Sequence, residues 1–176
     1  MDQVKGTLIP IGGNEDKGEN EINGMDFISE GILSHVVNES GGVDAKIIVV
    51  PTASKIPDVV GDMYKEAFDK LDCTDITVIN LTDKTQASDP EILAQFDAAN
   101  CIMFSGGDQS RIVAIFRGTP LNELLLRKYR EEDFVIAGTS AGAMAMANDM
   151  IIGGSSQEAL LKGAVLMSTG LGLIPE

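Results

Sequence analysis

The residues best suited to chemistry in this chain are Gly138-Thr139-Ser140-Ala141-Gly142, a G-x-S-x-G pentapeptide. An apolar run precedes it (134–137), and a small-residue stretch of helical character follows (143–147). Strand, sharp turn and helix form the context in which such a pentapeptide makes a nucleophile elbow. The turn exposes the serine hydroxyl at the strand end. The start of the next helix offers free N–H groups and a dipole that favour developing negative charge. Ser140 is therefore the candidate nucleophile, and the N–H of Ala141 is the candidate first oxyanion donor. The same five residues also fit a tight turn around a buried serine.

A second glycine-rich segment, Ser105-Gly106-Gly107-Asp108-Gln109, follows another apolar run. It lacks both the G-x-G-x-x-G spacing and the trailing Lys-Ser/Thr pair of phosphate-cradling loops. It can instead bring the N–H of Gly107 opposite the elbow as a second oxyanion donor, because glycine lets backbone approach a ligand closely. Asp108 and Gln109 are then candidate substrate ligands, with the Gln109 amide suited to a substrate amide. The plain alternative is a strand-to-helix turn with Asp108 in the first helical turn. Further on, Glu158 follows Gly153-Gly154-Ser155-Ser156-Gln157. It takes the place of the acid in the usual elbow order of Ser, acid, His. The chain's one histidine, His35, sits in a helical pattern. A helix face reaches a strand-end serine poorly, so His35 reads as a surface or boundary residue.

Composition narrows the field. One His and two Cys exclude a four-ligand zinc site and a disulfide framework. No metal or cofactor is expected. A net charge of −14, from 27 acidic and 13 basic residues, speaks against nucleic acid as a partner. The longest basic cluster, Arg127-Lys128-Tyr129-Arg130, runs straight into Glu131 and Glu132 and reads as a solvated helix end. No apolar run approaches the roughly 18 residues of a membrane helix. Neither a membrane partner nor a signal peptide is expected. Cys73 and Cys101 read as small hydrophobes in a reducing compartment.

Positioning these residues requires strands that end on the loops. Apolar runs at 6–11, 45–51, 75–81, 101–104 and 134–137 fit strands buried on both faces of a parallel sheet. Helical patterns lie between them at 25–38, 57–71, 90–97, 110–116 and 120–128. In the second, Val59, Val60, Met63, Ala67, Phe68 and Leu71 form the expected apolar stripe. Pro57, Pro90 and Pro120 mark helix starts, and Asp89 is an expected N-cap. The alternation predicts one α/β domain over 1–176, an open, doubly wound parallel sheet with helices on both faces. Ligands bind such sheets outside the carboxyl ends of the strands, where all these glycine-rich loops fall.

Five segments in order resemble the cyanophycinases. They are Gly12-Gly13-Asn14-Glu15-Asp16-Lys17, Val50-Pro51-Thr52-Ala53-Ser54, Phe104-Ser105-Gly106-Gly107-Asp108-Gln109, the elbow with Ala143, and Gly153-Gly154-Ser155-Ser156. The resemblance implies a flavodoxin-like fold, also described as class I glutamine amidotransferase-like. It implies a serine exopeptidase that releases β-Asp-Arg dipeptides from cyanophycin, a poly-aspartate with arginine on each β-carboxyl. It further implies a metal-free homodimer acting in the cytoplasm. Ser140 matches the family nucleophile, Gln109 a glutamine beside it, and Glu158 a glutamate assigned as the relay acid. In the family, an Asp-x-His-Phe segment carrying the catalytic His follows the Gly-Leu-Gly-hydrophobic-hydrophobic-Pro motif. Here that motif, Gly170-Leu171-Gly172-Leu173-Ile174-Pro175, is followed only by Glu176. The expectation is an N-terminal part of a catalytic domain, nearly inactive alone because serine needs a base. The missing part is expected to leave an apolar patch exposed or covered by a partner chain. Aspartyl or isoaspartyl dipeptidases on the same scaffold are the alternative, as is a non-catalytic binding domain of this fold.

Overall fold

The computed structural model describes residues 4–13, 15, 17, 30–154 and 165–174. Strands β1 (Thr7–Ile11), β2 (Ile47–Val50), β3 (Ile76–Val78), β4 (Cys101–Phe104) and β5 (Val135–Thr139) form one parallel sheet. Their order is β1-β5-β4-β2-β3. Every residue of the three central strands is buried, which is why they read as unbroken apolar runs. The edge strands are only partly covered. Pro10, which has no N–H to give a second neighbour, lies in edge strand β1.

Successive residues of each strand point to opposite faces. Ile47, Val49, Met103, Val135 and Ala137 meet α1 (Ile32–Glu39) and α2 (Pro57–Asp69) through Leu33, Val36, Ala67 and Phe68. Ile48, Val50, Ile102, Phe104 and Ile136 face α3 (Pro90–Asp97), α4 (Gln109–Phe116), α5 (Pro120–Glu131) and α6 (Ala141–Ala145). The result is the open, doubly wound, flavodoxin-like α/β sheet expected from the sequence. Helix starts follow the predicted chemistry. Asp89 accepts from the N–H groups of Glu91 at 2.8 Å and Ile92 at 3.3 Å, with Pro90 in the first turn.

Three features differ from the sequence expectation. In α2 the stripe is rotated: Val59 is 53% exposed, whereas Gly61 and Tyr64 are buried. Gly61 lets the helix close onto β3, since a Cβ there would lie 2.6 Å from Val78 Cγ1. The basic cluster at the end of α5 is not simply solvated. Lys128 is buried, giving its ammonium to the Asp97 carbonyl at 2.6 Å and to Glu132 at 2.8 Å, over the Phe134 ring. The third difference is an antiparallel hairpin, β6 (Asp149–Gly154) and β7 (Val165–Thr169). It exposes Ile151, Ile152, Val165, Leu166 and Met167.

No helix among the described residues is long and apolar enough to cross a membrane. Both cysteines are free and buried. Burial pushes the Cys101 thiol up to about 12. Burial, with Asp69 and Asp72 nearby, raises that of Cys73 as well. Thiolate is the reactive form. Neither cysteine of the folded chain is therefore expected to react with a thiol reagent near pH 8, and both should react once it is denatured. Mass spectrometry after alkylation reads this directly.

Candidate active site

Ser140 follows β5 directly, with φ 49° and ψ −106°, a left-handed conformation unusual for a residue with a side chain. Four contacts hold it. Its N–H donates to the Ile11 carbonyl at 2.9 Å, extending the β1–β5 register by one residue. Its carbonyl accepts from Met144 N–H at 2.9 Å inside the first turn of α6. The flanking glycines supply the other two. A Cβ on Gly138 would lie 2.7 Å from the Gly142 carbonyl carbon, and one on Gly142 would lie 2.6 Å from the Phe104 carbonyl oxygen. The pentapeptide is thus a close-packed crossing of strand, helix and neighbouring strand, in which only the serine side chain is free to face solvent. The helix begins at Ala141, two residues earlier than the sequence suggested, and its first N–H group therefore belongs to the residue after Ser140.

Two loops border the serine. A Cβ on either Gly13 or Gly106 would lie 3.6 Å from Ser140 Cβ. Gly107 sits farther round, at φ 141°, where a Cβ would meet the Ala53 carbonyl oxygen at 2.2 Å. This packing joins the loops after β2 and β4. Asp108 N–H donates to the Ala53 carbonyl at 2.9 Å, and Arg111 Nη1 to the Ser54 carbonyl at 2.6 Å. The exposed Asp108 caps α4, its carboxylate accepting from Ser110 N–H at 2.9 Å. Gln109 Nε2 donates to the Ile151 carbonyl at 2.6 Å, tying the start of α4 to β6.

Glu15 is the site residue that the sequence reading passed over. Its carboxylate, fully enclosed, accepts hydrogen bonds from the hydroxyls of Tyr64 and Thr139 and pairs with Lys17 Nζ at 3.0 Å. Burial alone would push its pKa up. The hydrogen bonds from Thr139, Tyr64, its own backbone and Lys17 together outweigh burial and hold it below the ordinary 4.5. Thr139 immediately precedes Ser140, so this buried anion is anchored one residue from the candidate nucleophile. The charged residues after Gly12-Gly13 were a visible signal, but Tyr64, seven positions into a helix, carried none. Glu15, Lys17, Val60, Met63, Gly106 and Ser140 border one cavity of about 210 Å³.

The expected partners of Ser140 are not all at hand. Glu158 lies outside the described residues. His35 is exposed and borders a different cavity with Asn38, Lys70 and Asp72. Lys70 and Asp72 connect the end of α2 to the start of β3, at the amino edge of the sheet. Ser140 lies at the carboxyl edge, so His35 is not its base. Among the described residues no group of three or more His, Cys, Asp or Glu is arranged to hold a metal.

Residues 23–176 match the model of Peptidase family S51. The chain belongs to that family. It is 34% identical over 173 residues to the cyanophycinase of Geminocystis herdmanii, covering 98% of this chain and 60% of the relative. It is 36% identical over 172 residues to that of Synechococcus elongatus, covering 98% and 51%. The chain therefore spans between half and two thirds of the length of these curated relatives. The resemblance carried by the five segments holds at the level of the whole sequence. Among solved structures, the chain superposes on a peptidase from an acI-B1 Actinobacterium with a TM-score of 0.71 at 19% identity, covering 98% of this chain and 66% of the other. The corresponding values for a putative Peptidase E protein from Listeria monocytogenes are 0.59, 18%, 96% and 75%. Both share the fold.

The elbow geometry predicts unequal costs for equal substitutions. Gly142→Ala is expected to lower stability by about 1–3 kcal/mol through overpacking against Phe104. Gly12→Ala, with nothing within 4 Å of the added carbon, is expected to be close to neutral. Urea midpoints compare the two. The second prediction concerns pH. Ionised Glu15 stabilises the fold fully above its ordinary 4.5, and this contribution is lost as the pH falls through the lower folded value. Between about pH 6 and pH 3 the melting temperature of Glu15→Gln should therefore fall less steeply than that of the unmutated chain.

Proposed function

We propose that Ser140 is the nucleophile of a serine exopeptidase that hydrolyses cyanophycin to β-Asp-Arg dipeptides. The observation that carries the proposal is the elbow itself, a serine held in a left-handed turn between strand and helix, in a chain of family S51 similar to cyanophycinases. In this mechanism Ser140 Oγ loses its proton to a base and attacks the scissile carbonyl. The bond to the leaving amine breaks after that nitrogen takes up a proton, and water then releases the acyl group from Ser140. The N–H groups of Ala141 and Gly107 are assigned to the oxyanion. Gln109 keeps its Oε1 for a substrate N–H while its amide nitrogen stays on Ile151. Asp108 draws the arginine-bearing substrate by charge.

With His35 at the far edge of the sheet, the base is assigned to a histidine that this chain does not itself supply, oriented by Glu158. The protein is proposed to act as a cytoplasmic homodimer. The exposed apolar side chains of β6 and β7 support pairing with a second copy, and the free, buried cysteines fit a reducing compartment.

Dipeptide release from cyanophycin, measured on this chain and on one extended past Glu176, tests the proposal. Turnover is expected only from the extended chain. It should drop by about a thousandfold or more in Ser140→Ala with the fold unchanged. Turnover that survives Ser140→Ala would sink the assignment. A preference for Asp-X dipeptides over the polymer would point to an aspartyl dipeptidase instead.

A further inference from the structure

A cavity of about 600 Å³ lies where the C-terminal half of α4 and the first turn of α5 meet the backbone that follows β7. It shares no bordering residue with the cavity beside Ser140. Its size falls within the roughly 300–1,000 Å³ of small-molecule sites. One wall is fixed by close packing. The N–H groups of Gly170 and Leu171 donate to the carbonyls of Asn148 and Ala145, each at 2.8 Å, and a Cβ on Gly170 would run into the Ala147 carbonyl oxygen.

Two kinds of polar group border this cavity. Lys84 and Arg117 bring positive charge, and no carboxylate stands among the described residues around it. Lys84 Nζ donates to the Arg117 carbonyl at 2.8 Å, which places the ammonium at this end of α4. Lys17, Arg127 and Lys128 are matched with carboxylates, whereas among the described residues neither Lys84 nor Arg117 forms an ion pair. In a chain of net charge −14 these two cations make a local positive spot. The second group is the side-chain amide of Asn122, which is 7% exposed. Its Nδ2 donates to the Leu171 carbonyl at 3.5 Å, and this sets which way the amide faces. Its Oδ1 is buried and accepts no hydrogen bond among the described residues. A buried acceptor left unpaired costs free energy, which a ligand N–H recovers.

We propose that this cavity binds a small carboxylate that also carries an N–H donor, of the kind found in an acylated amino acid, its carboxylate held by Arg117 and Lys84 and its N–H by Asn122 Oδ1. The proposal is independent of the chemistry assigned to Ser140. A guanidinium presents a planar fork that matches a carboxylate. Val113 and Leu171 give the carbon skeleton an apolar contact. Two cations alone would take any small anion, so the orphaned amide oxygen is what narrows the class.

Three probes of similar shape test it. N-acetylglycine has both groups, levulinate has a methylene in place of the N–H, and N-acetylglycinamide has no charge. Binding to the 176-residue chain is followed by the NMR amide shifts of Gly118, Gly170 and Gly172, with Ser140 as the reference for the other cavity. N-acetylglycine is expected to bind about tenfold more tightly than either control. Lys84→Met combined with Arg117→Met should remove its advantage over N-acetylglycinamide, and Asn122→Leu its advantage over levulinate. The comparison on the unmutated chain needs no variant, so a misfolded substitution does not remove the test. Equal binding of N-acetylglycine and either control overturns the proposal. So does an advantage that survives these substitutions, the lack of a saturable shift, or shifts confined to Ser140.

Discussion

The structure turns on a steric constraint at one crossing. The backbone of α6 passes so close to β4 and β5 that neither Gly138 nor Gly142 can carry a Cβ. This closeness forces the chain through a left-handed turn at Ser140, and the turn in turn needs three neighbours in register. Strand β1 provides the carbonyl for the Ser140 N–H, β4 provides the wall under Gly142, and α6 closes the carbonyl of the serine. Strained backbone persists only where the surroundings over-determine it. Here the parallel sheet, buried on both faces, is the rigid body that does so.

A buried carboxylate is the second fixed point. Glu15 would be costly to enclose as an ion without donors. Tyr64 from α2, Thr139 from β5 and Lys17 supply them. The arrangement joins three parts of the chain that share no strand pairing with one another: the loop after β1, the middle of α2, and the residue before Ser140. The charge is therefore a structural strut as well as part of the site's electrostatics.

Much of this was legible in the sequence for identifiable reasons. The four-residue runs of β2 and β4 read as strands because a doubly covered strand has no polar face to break the pattern. Pro90 and Asp89 gave the start of α3 because a cap and a missing N–H are local chemistry. The elbow was legible because its glycines are demanded by contact. Residues whose role depends on distant partners were not. Tyr64 looks like one more core aromatic until Glu15 is placed beside it. The hold of the Ile151 carbonyl on the amide nitrogen of Gln109 was equally hidden, because it is set by a hairpin that no local pattern announced. Val59 was assigned to the core from helical spacing alone, but the true stripe is set by where Gly61 allows α2 to touch β3.

The strand order carries a consequence for the sequence of events in folding. Strand β1 is at the sheet edge and has β5 as its strand neighbour, so within this sheet the first strand in chain order must wait for the last. Strands β2, β3 and β4 can pair as they emerge, whereas the Ile11 carbonyl that fixes Ser140 arrives only by closing the longest loop in the sheet. Such long-range closures are slow. The left-handed turn at Ser140 is therefore assembled at the end, after the scaffold around it exists.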